Sequence, residues 1–137
     1  MDYRTQMSIL IQLALVDNQL SQTEKRMIYT LGKANKIPEV ELDSLFNESL
    51  SKKKHELPPL TNLSEEDKFE YLYHLIQLMK VDKKVYLSEI KFCEELAERL
   101  GYKKRVVKEL SSRIFGDPAF GSSRDTLLTI IEKHKLI

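Results

Sequence analysis

The stretch LIQLALVDNQLSQTE runs from Leu10 to Glu24, and sixty-five residues further on the chain reads LIQLMKVDKKVYLSE, from Leu75 to Glu89. Both copies carry Leu-Ile-Gln-Leu, then Val-Asp, then a Glu seven residues past the Asp. The register persists beyond the phrase, because the same offset pairs Leu31 with Leu96 and Leu45 with Leu110. Residues 5–50 and 70–115 therefore read as two copies of a three-helix unit. A unit of this size cannot bury its apolar faces alone, so the copies are expected to pack on each other.

Periodicity and punctuation predict seven helices. The first covers roughly Asp2 to Val16, with Met7, Leu10, Leu13 and Ala14 on one side. Ser21-Gln22-Thr23-Glu24 has the form of a capping box, in which the Ser hydroxyl takes the Glu24 N–H and the Glu side chain reaches back. The second helix starts there and ends near Asn35. Pro38 suits the first turn of a third helix, where its missing N–H would be unpaired anyway. Leu42, Leu45, Phe46 and Leu50 give that helix its apolar stripe. The segment HELPPLTN, residues 55–62, is a linker, since adjacent prolines do not sit inside a helix. Ser64 caps a fourth helix, whose stripe is Leu72, Leu75, Ile76 and Met79. A fifth runs from about Ser88 to Leu100 and stops at Gly101, which accepts the left-handed conformation of a helix C-terminus. A sixth spans about Lys103 to Phe115. GDPAFGS is a loop, and Ser122 or Ser123 caps a last helix carrying Leu127, Leu128, Ile130 and Ile131. The expected fold class is all-α: a single domain over residues 1–137, made of two pseudo-repeated three-helix units and a C-terminal helix.

Bulk composition agrees with that reading. The chain is 42% apolar and 31% charged, lacks Trp, and has only four Gly and four Pro, which argues against an all-β fold. Lys and Arg number 22 against 21 Asp and Glu, so the net charge of +1 gives no support to bulk nucleic-acid binding. The single cysteine, Cys93, excludes an internal disulfide and a multi-cysteine zinc site, and fits a reducing compartment. The apolar run from Ile9 to Val16 is too short to span a bilayer. A cytoplasmic location is expected, and any membrane association is expected to be peripheral, through a partner.

The repeated turn has the form D-x-x-Φ-x-x-x-E: Asp17 to Glu24 in the first copy and Asp82 to Glu89 in the second. This pattern, doubled between matched helices over residues 5 to 115, resembles the tellurite-resistance TerB-like family. It also resembles the N-terminal domain of some membrane-anchored DnaJ-type co-chaperones. The family carries a Gly after the Asp, where this chain has Asn18 and Lys83. It carries a Ser that is kept as Ser21 and becomes Tyr86. The resemblance implies an all-helical domain, a role in tellurite or related stress responses, and a connection of the acidic residues with a divalent metal. The residues that inherit that metal role are Asp17, Glu24, Asp82 and Glu89. From the residues themselves two readings stand side by side. The carboxylates can ligate a hard cation, or they can cap the interhelical turns by accepting backbone N–H groups. Lys83 and Lys84, beside Asp82, make the second turn the poorer cation site. An EF-hand is excluded, because the sixth position lacks Gly and the twelfth is Ile28.

No other constellation carries chemistry. His55, His74 and His134 are scattered, with no metal-spaced partner or adjacent nucleophile. Cys93 stands one turn from Ile90 and Ala97 and reads as a small core residue. No phosphate loop or hydrolase elbow is present, so neither an enzyme nor an organic cofactor is expected. Charge is balanced overall but uneven locally. Glu39, Glu41 and Asp43 open the third helix, Glu94, Glu95 and Glu98 mark the fifth, and Lys103, Lys104, Arg105 and Lys108 answer on the sixth. Lys52 to Lys54 add a further basic run. These are solvated faces, or an acidic and a basic surface that dock different partners. The expected function is a non-enzymatic module that binds protein partners; the alternative is a divalent-metal sensor built on the paired acidic turns.

Overall fold

The computed structural model describes residues 3–16, 21–51, 60, 63–81, 87–114 and 123–136. Asp17, Lys52 to Lys54, His55, the prolines of the linker, Asp82 to Lys84, Tyr86 and the GDPAFGS segment lie outside them. The described residues form seven helices and no strand: α1 (Tyr3–Leu15), α2 (Gln22–Ala34), α3 (Glu39–Ser51), α4 (Glu65–Lys80), α5 (Leu87–Arg99), α6 (Arg105–Ser111) and α7 (Arg124–Lys133). The fold is all-α, as the sequence predicts.

α1 and α4 bury more residues than any other helix and lie at the centre. Every residue of α1 from Gln6 to Ala14 except Ser8 is buried, and α4 is buried continuously from Leu75 to Met79. A helix buried nearly all round must be surrounded. Accordingly α1 packs on α2, α3, α4 and α5, and α4 packs on α1, α5 and α6. Within each half the three helices touch pairwise: α1, α2 and α3 in the first, α4, α5 and α6 in the second. The α1–α4 seam joins the halves, and α7 closes the far side of α6. Leu10 and Ile11 of α1 and Leu75 and Ile76 of α4 are all fully buried, and a fully buried Leu or Ile contributes roughly 1.5–3 kcal/mol.

Local chemistry sets the helix ends. Ser21 is extended and its hydroxyl accepts the Glu24 N–H at 3.0 Å, while the Ser21 N–H donates to Glu24 Oε1 at 3.3 Å. Ser64 and Ser123 cap α4 and α7 one-sidedly, their hydroxyls accepting the Asp67 and Thr126 N–H without a reciprocal bond. Ser21→Ala removes a hydroxyl that no neighbour replaces and is expected to cost about 1 kcal/mol in a urea melt. A variant that melts with wild type would show that the box does not hold α2.

The C-terminal ends of α2 and α5 are two versions of one motif. Lys36 N–H donates to Lys33 O at 3.0 Å and Ile37 N–H to Gly32 O at 2.9 Å; Gly101 N–H donates to Glu98 O at 3.0 Å and Tyr102 N–H to Ala97 O at 2.9 Å. This is the Schellman pattern, and every donor and acceptor of the second lies sixty-five residues after its counterpart in the first. The residue in the left-handed region is Lys36 (φ 64°) in one and Gly101 (φ 95°) in the other.

Three expectations are corrected. Leu50 is 62% exposed rather than part of the apolar stripe of α3, and Ser49 is buried instead. At 3.6 residues per turn Leu50 sits about 80° round the helix from Leu42, whereas Ser49 lies almost under it. The sixth helix is also shorter than the expected span of residues 103–115. At its start, the Lys103 N–H donates to His134 O at 2.8 Å, tying residue 103 to the end of α7 rather than into the helix. At its end, the Ser111 carbonyl accepts from Lys80 Nζ, and the Ser112 hydroxyl donates to Glu109 O at 2.7 Å. Both contacts divert backbone groups that would continue the ladder. Pro38 precedes α3 rather than entering it, its carbonyl accepting from Glu41 and Leu42.

Candidate functional site

Of the four acidic residues singled out by the repeat, Glu24 and Glu89 are described. Each is the third residue of its helix, α2 or α5, and each is buried, at 5% and 4% exposure. That is unusual placement for a carboxylate and requires satisfaction. Glu24 finds it in its own helix start, where its side chain accepts the Ser21 N–H. The helix dipole favours an anion at that position in both copies. Asp17 and Asp82 lie outside the described residues. Among the described residues no three of His, Cys, Asp and Glu come together in a group that could hold a metal ion.

The other reactive side chains are built into the packing. Cys93 is fully buried, with Sγ 3.8 Å from Met79 Sδ; burial, with Glu89 and Glu94 nearby, pushes its thiol well up, away from the reactive thiolate. His74 faces Glu70 at 3.2 Å. His134 is buried, with Nε2 3.0 Å from Glu109 Oε2 and Nδ1 2.8 Å from Ile130 O, so it locks α7 to α6. A second lock lies at the start of α4. Buried Tyr102 donates to Glu65 Oε2 at 3.0 Å, and Lys68 and Lys135 stand 3.4 and 3.5 Å from the same carboxylate. Burial pushes the Glu65 carboxyl up, but the Tyr102 hydrogen bond and the two lysines outweigh it and hold the group below its ordinary value.

The surface differs between the halves where the fold makes no demand. Sixty-five residues separate Glu39 from Lys104, Val40 from Arg105, Asp43 from Lys108 and Glu48 from Arg113. All eight are exposed. The outer face of α3 is therefore acidic, and the corresponding face of α6 is basic. The two faces also differ in how their charge is met. Glu39 pairs with Lys33 at 3.5 Å, Glu41 with Arg4 at 2.8 Å, and Asp43 accepts from the Tyr29 hydroxyl. Partial burial of the ring, together with that hydrogen bond, pushes the Tyr29 phenol up to about 12. On and beside α6, Lys104 reaches Glu98 at 3.7 Å and Glu109 is taken by Lys133 and His134. Arg105, Lys108 and Arg113 have no carboxylate within 4 Å among the described residues.

The chain matches no protein-family model, no curated protein and no solved structure.

The basic run at Lys103, Lys104, Arg105 and Lys108 was readable as a charged segment. That Arg105 and Lys108 meet no carboxylate within 4 Å among the described residues was not, nor was the contribution of Arg113 from the turn after α6. A comparison of exposed positions at the repeat offset would have found the sign inversion. The Tyr102–Glu65–Lys135 cluster joins three elements distant in sequence and leaves no local signal.

Proposed function

We propose that this protein is a non-enzymatic interaction module, of the kind that serves tellurite-resistance or related stress-response complexes. The observation that carries the reading is the sign inversion between α3 and α6: exposed charges of opposite sign at Glu39 and Lys104, Asp43 and Lys108, and Glu48 and Arg113, with Arg105, Lys108 and Arg113 unmet by a carboxylate among the described residues. Neither fold nor solubility calls for such an arrangement in a chain of net charge +1, whereas docking does. The link to stress response rests on the doubled D-x-x-Φ-x-x-x-E turn alone.

In this reading the acidic turns are helix caps. Glu24 supports that role, since its carboxylate already serves the start of α2. The expected result is a melting curve unchanged by calcium, magnesium, manganese or zinc. A metal held at the turns would stabilise the fold by about 2.7 kcal/mol at a hundred times its dissociation constant. Such a shift, lost in Asp17→Asn, would replace the module with the metal sensor. Cross-linking in the native cell followed by reconstitution of purified pairs is expected to give a stoichiometric complex. Purified candidates that all fail to bind would remove the interaction reading itself.

A further inference from the structure

We infer that the outer face of α6 is a docking site for an acidic, carboxylate-bearing segment of a partner protein; this deepens the interaction-module reading and rests on it. Lys104 and Lys108 are one turn apart on that face, with Arg105 beside them and Arg113 on the turn beyond. α6 is held in place from three sides, so its cations are presented by a fixed scaffold. Its apolar side chains Val106, Val107 and Leu110 are buried. Lys80 from α4 binds the Ser111 carbonyl, and His134 from α7 sits 3.0 Å from Glu109. A rigid platform presenting three cations, Arg105, Lys108 and Arg113, that meet no carboxylate among the described residues gains Coulomb energy from an incoming anion without first breaking a pair to one of them.

The extent of the patch selects the class of partner. A helix of seven residues is about 10 Å long, enough for a few carboxylates one helical turn apart. Glu98 borders it on the α5 side and Glu109 on the α7 side. An extended phosphate backbone would have to cross those carboxylates, while a short peptide segment would not. A lipid surface is also a poorer fit. The exposed large apolar side chains among the described residues are Tyr3, Val40, Leu50, Leu87 and Leu136, none of them on this patch. A second copy of the chain would offer α3 as its acidic face, but there Glu39, Glu41 and Asp43 are already engaged.

The test uses the full-length chain, isotopically labelled, titrated with a synthetic all-glutamate peptide and followed by amide chemical shifts. Shifts are expected to centre on residues 103–113 and to fade as salt rises. Arg105→Glu with Lys108→Glu is expected to weaken binding about tenfold or more, since each reversal removes one surface attraction and adds a repulsion of similar size. Both side chains are exposed, so the melting curve of the double variant is expected to match wild type. The control Arg26→Glu with Lys91→Glu removes the same charge elsewhere and should bind as wild type. An equal loss in the control would show bulk charge rather than a site, and would overturn the inference. So would tighter binding of a duplex oligonucleotide or of phosphatidylserine vesicles to the same residues, or self-association of the chain that the α6 reversal abolishes. A reconstituted partner complex indifferent to the α6 reversal would sink this inference while leaving the module reading standing. Failure of every purified partner to bind would remove both.

Discussion

Gly32→Ala is expected to destabilise the protein by about 2 kcal/mol, and Leu42→Val in the same chain is expected to recover most of that loss. The reason is the close approach of α2 to α3. A Cβ on Gly32 would lie 2.7 and 2.8 Å from the two methyl carbons of Leu42 and 3.2 Å from its Cγ. Leu42 is fully buried, so its methyls have nowhere to swing. Overpacking of this kind costs up to about 3 kcal/mol, against which alanine returns about 1 kcal/mol of helix propensity. The second half of the chain already contains the alternative solution. At the matching positions stand Ala97 and Val107, both buried, with one methyl more on the first and one methylene fewer on the second. Leu42→Val alone should cost about 1 kcal/mol, as a deleted methylene does. The double variant should then show a coupling of at least about 1 kcal/mol in a urea-denaturation cycle. If the two changes simply add, the packing of Gly32 on Leu42 is not what fixes the α2–α3 distance, and the match to Ala97 and Val107 is coincidental.

That experiment bears on why so much of the fold could be read from the letters. Helix starts were legible because a serine with free neighbours has one low-energy way to cap a helix, and Ser21, Ser64 and Ser123 all take it. Gly101 was legible as a stop because only glycine sits easily at φ 95°. Lys36 does the same work at φ 64° and left no such mark, because lysine in the left-handed region is a tertiary compromise rather than a preference. The ends of α6 were misjudged for a similar reason: Lys80 and the His134 carbonyl, which stop it, come from α4 and the end of α7. Leu50 matches the stripe in residue type but not in angle, which leaves it on the exposed side of α3. For the candidate site, the acidic phrase was found by repetition, but its burial at Glu24 and Glu89 could not be foreseen from spacing. The α6 surface was visible as charge. What distinguishes it from the acidic face of α3 is the presence or absence of partners at 4 Å, which is a property of three-dimensional neighbours alone.

Gly101→Val is expected to cost about 3 kcal/mol, and Lys36→Gly is expected to gain up to about 1 kcal/mol. The two residues occupy equivalent places in the two Schellman ends, so they form a reciprocal test. Among the described residues, no atom beyond its chain neighbours lies within 4 Å of where a Cβ on Gly101 would stand. The cost is therefore one of backbone strain, not collision, and strained φ values of this kind cost roughly 1–3 kcal/mol, most for a β-branched residue. The loss should not stay local. The Gly101 carbonyl accepts the Leu136 N–H at 3.0 Å, and next to it the Lys103 N–H reaches His134 O, so this turn ties the tail of α7 to the entry of α6. At Lys36 the argument runs the other way. A left-handed lysine costs about 1 kcal/mol or more, which glycine relieves, less some added freedom in the unfolded chain. Gly101→Asn should fall between, at about 1 kcal/mol, because asparagine tolerates the left-handed region better than valine. Urea melts of the three variants decide the matter. Asparagine and valine melting together would show that space or solvation, rather than φ, governs the site. A destabilised Lys36→Gly would mean that the lysine side chain holds the first turn by contacts that outweigh its strained backbone.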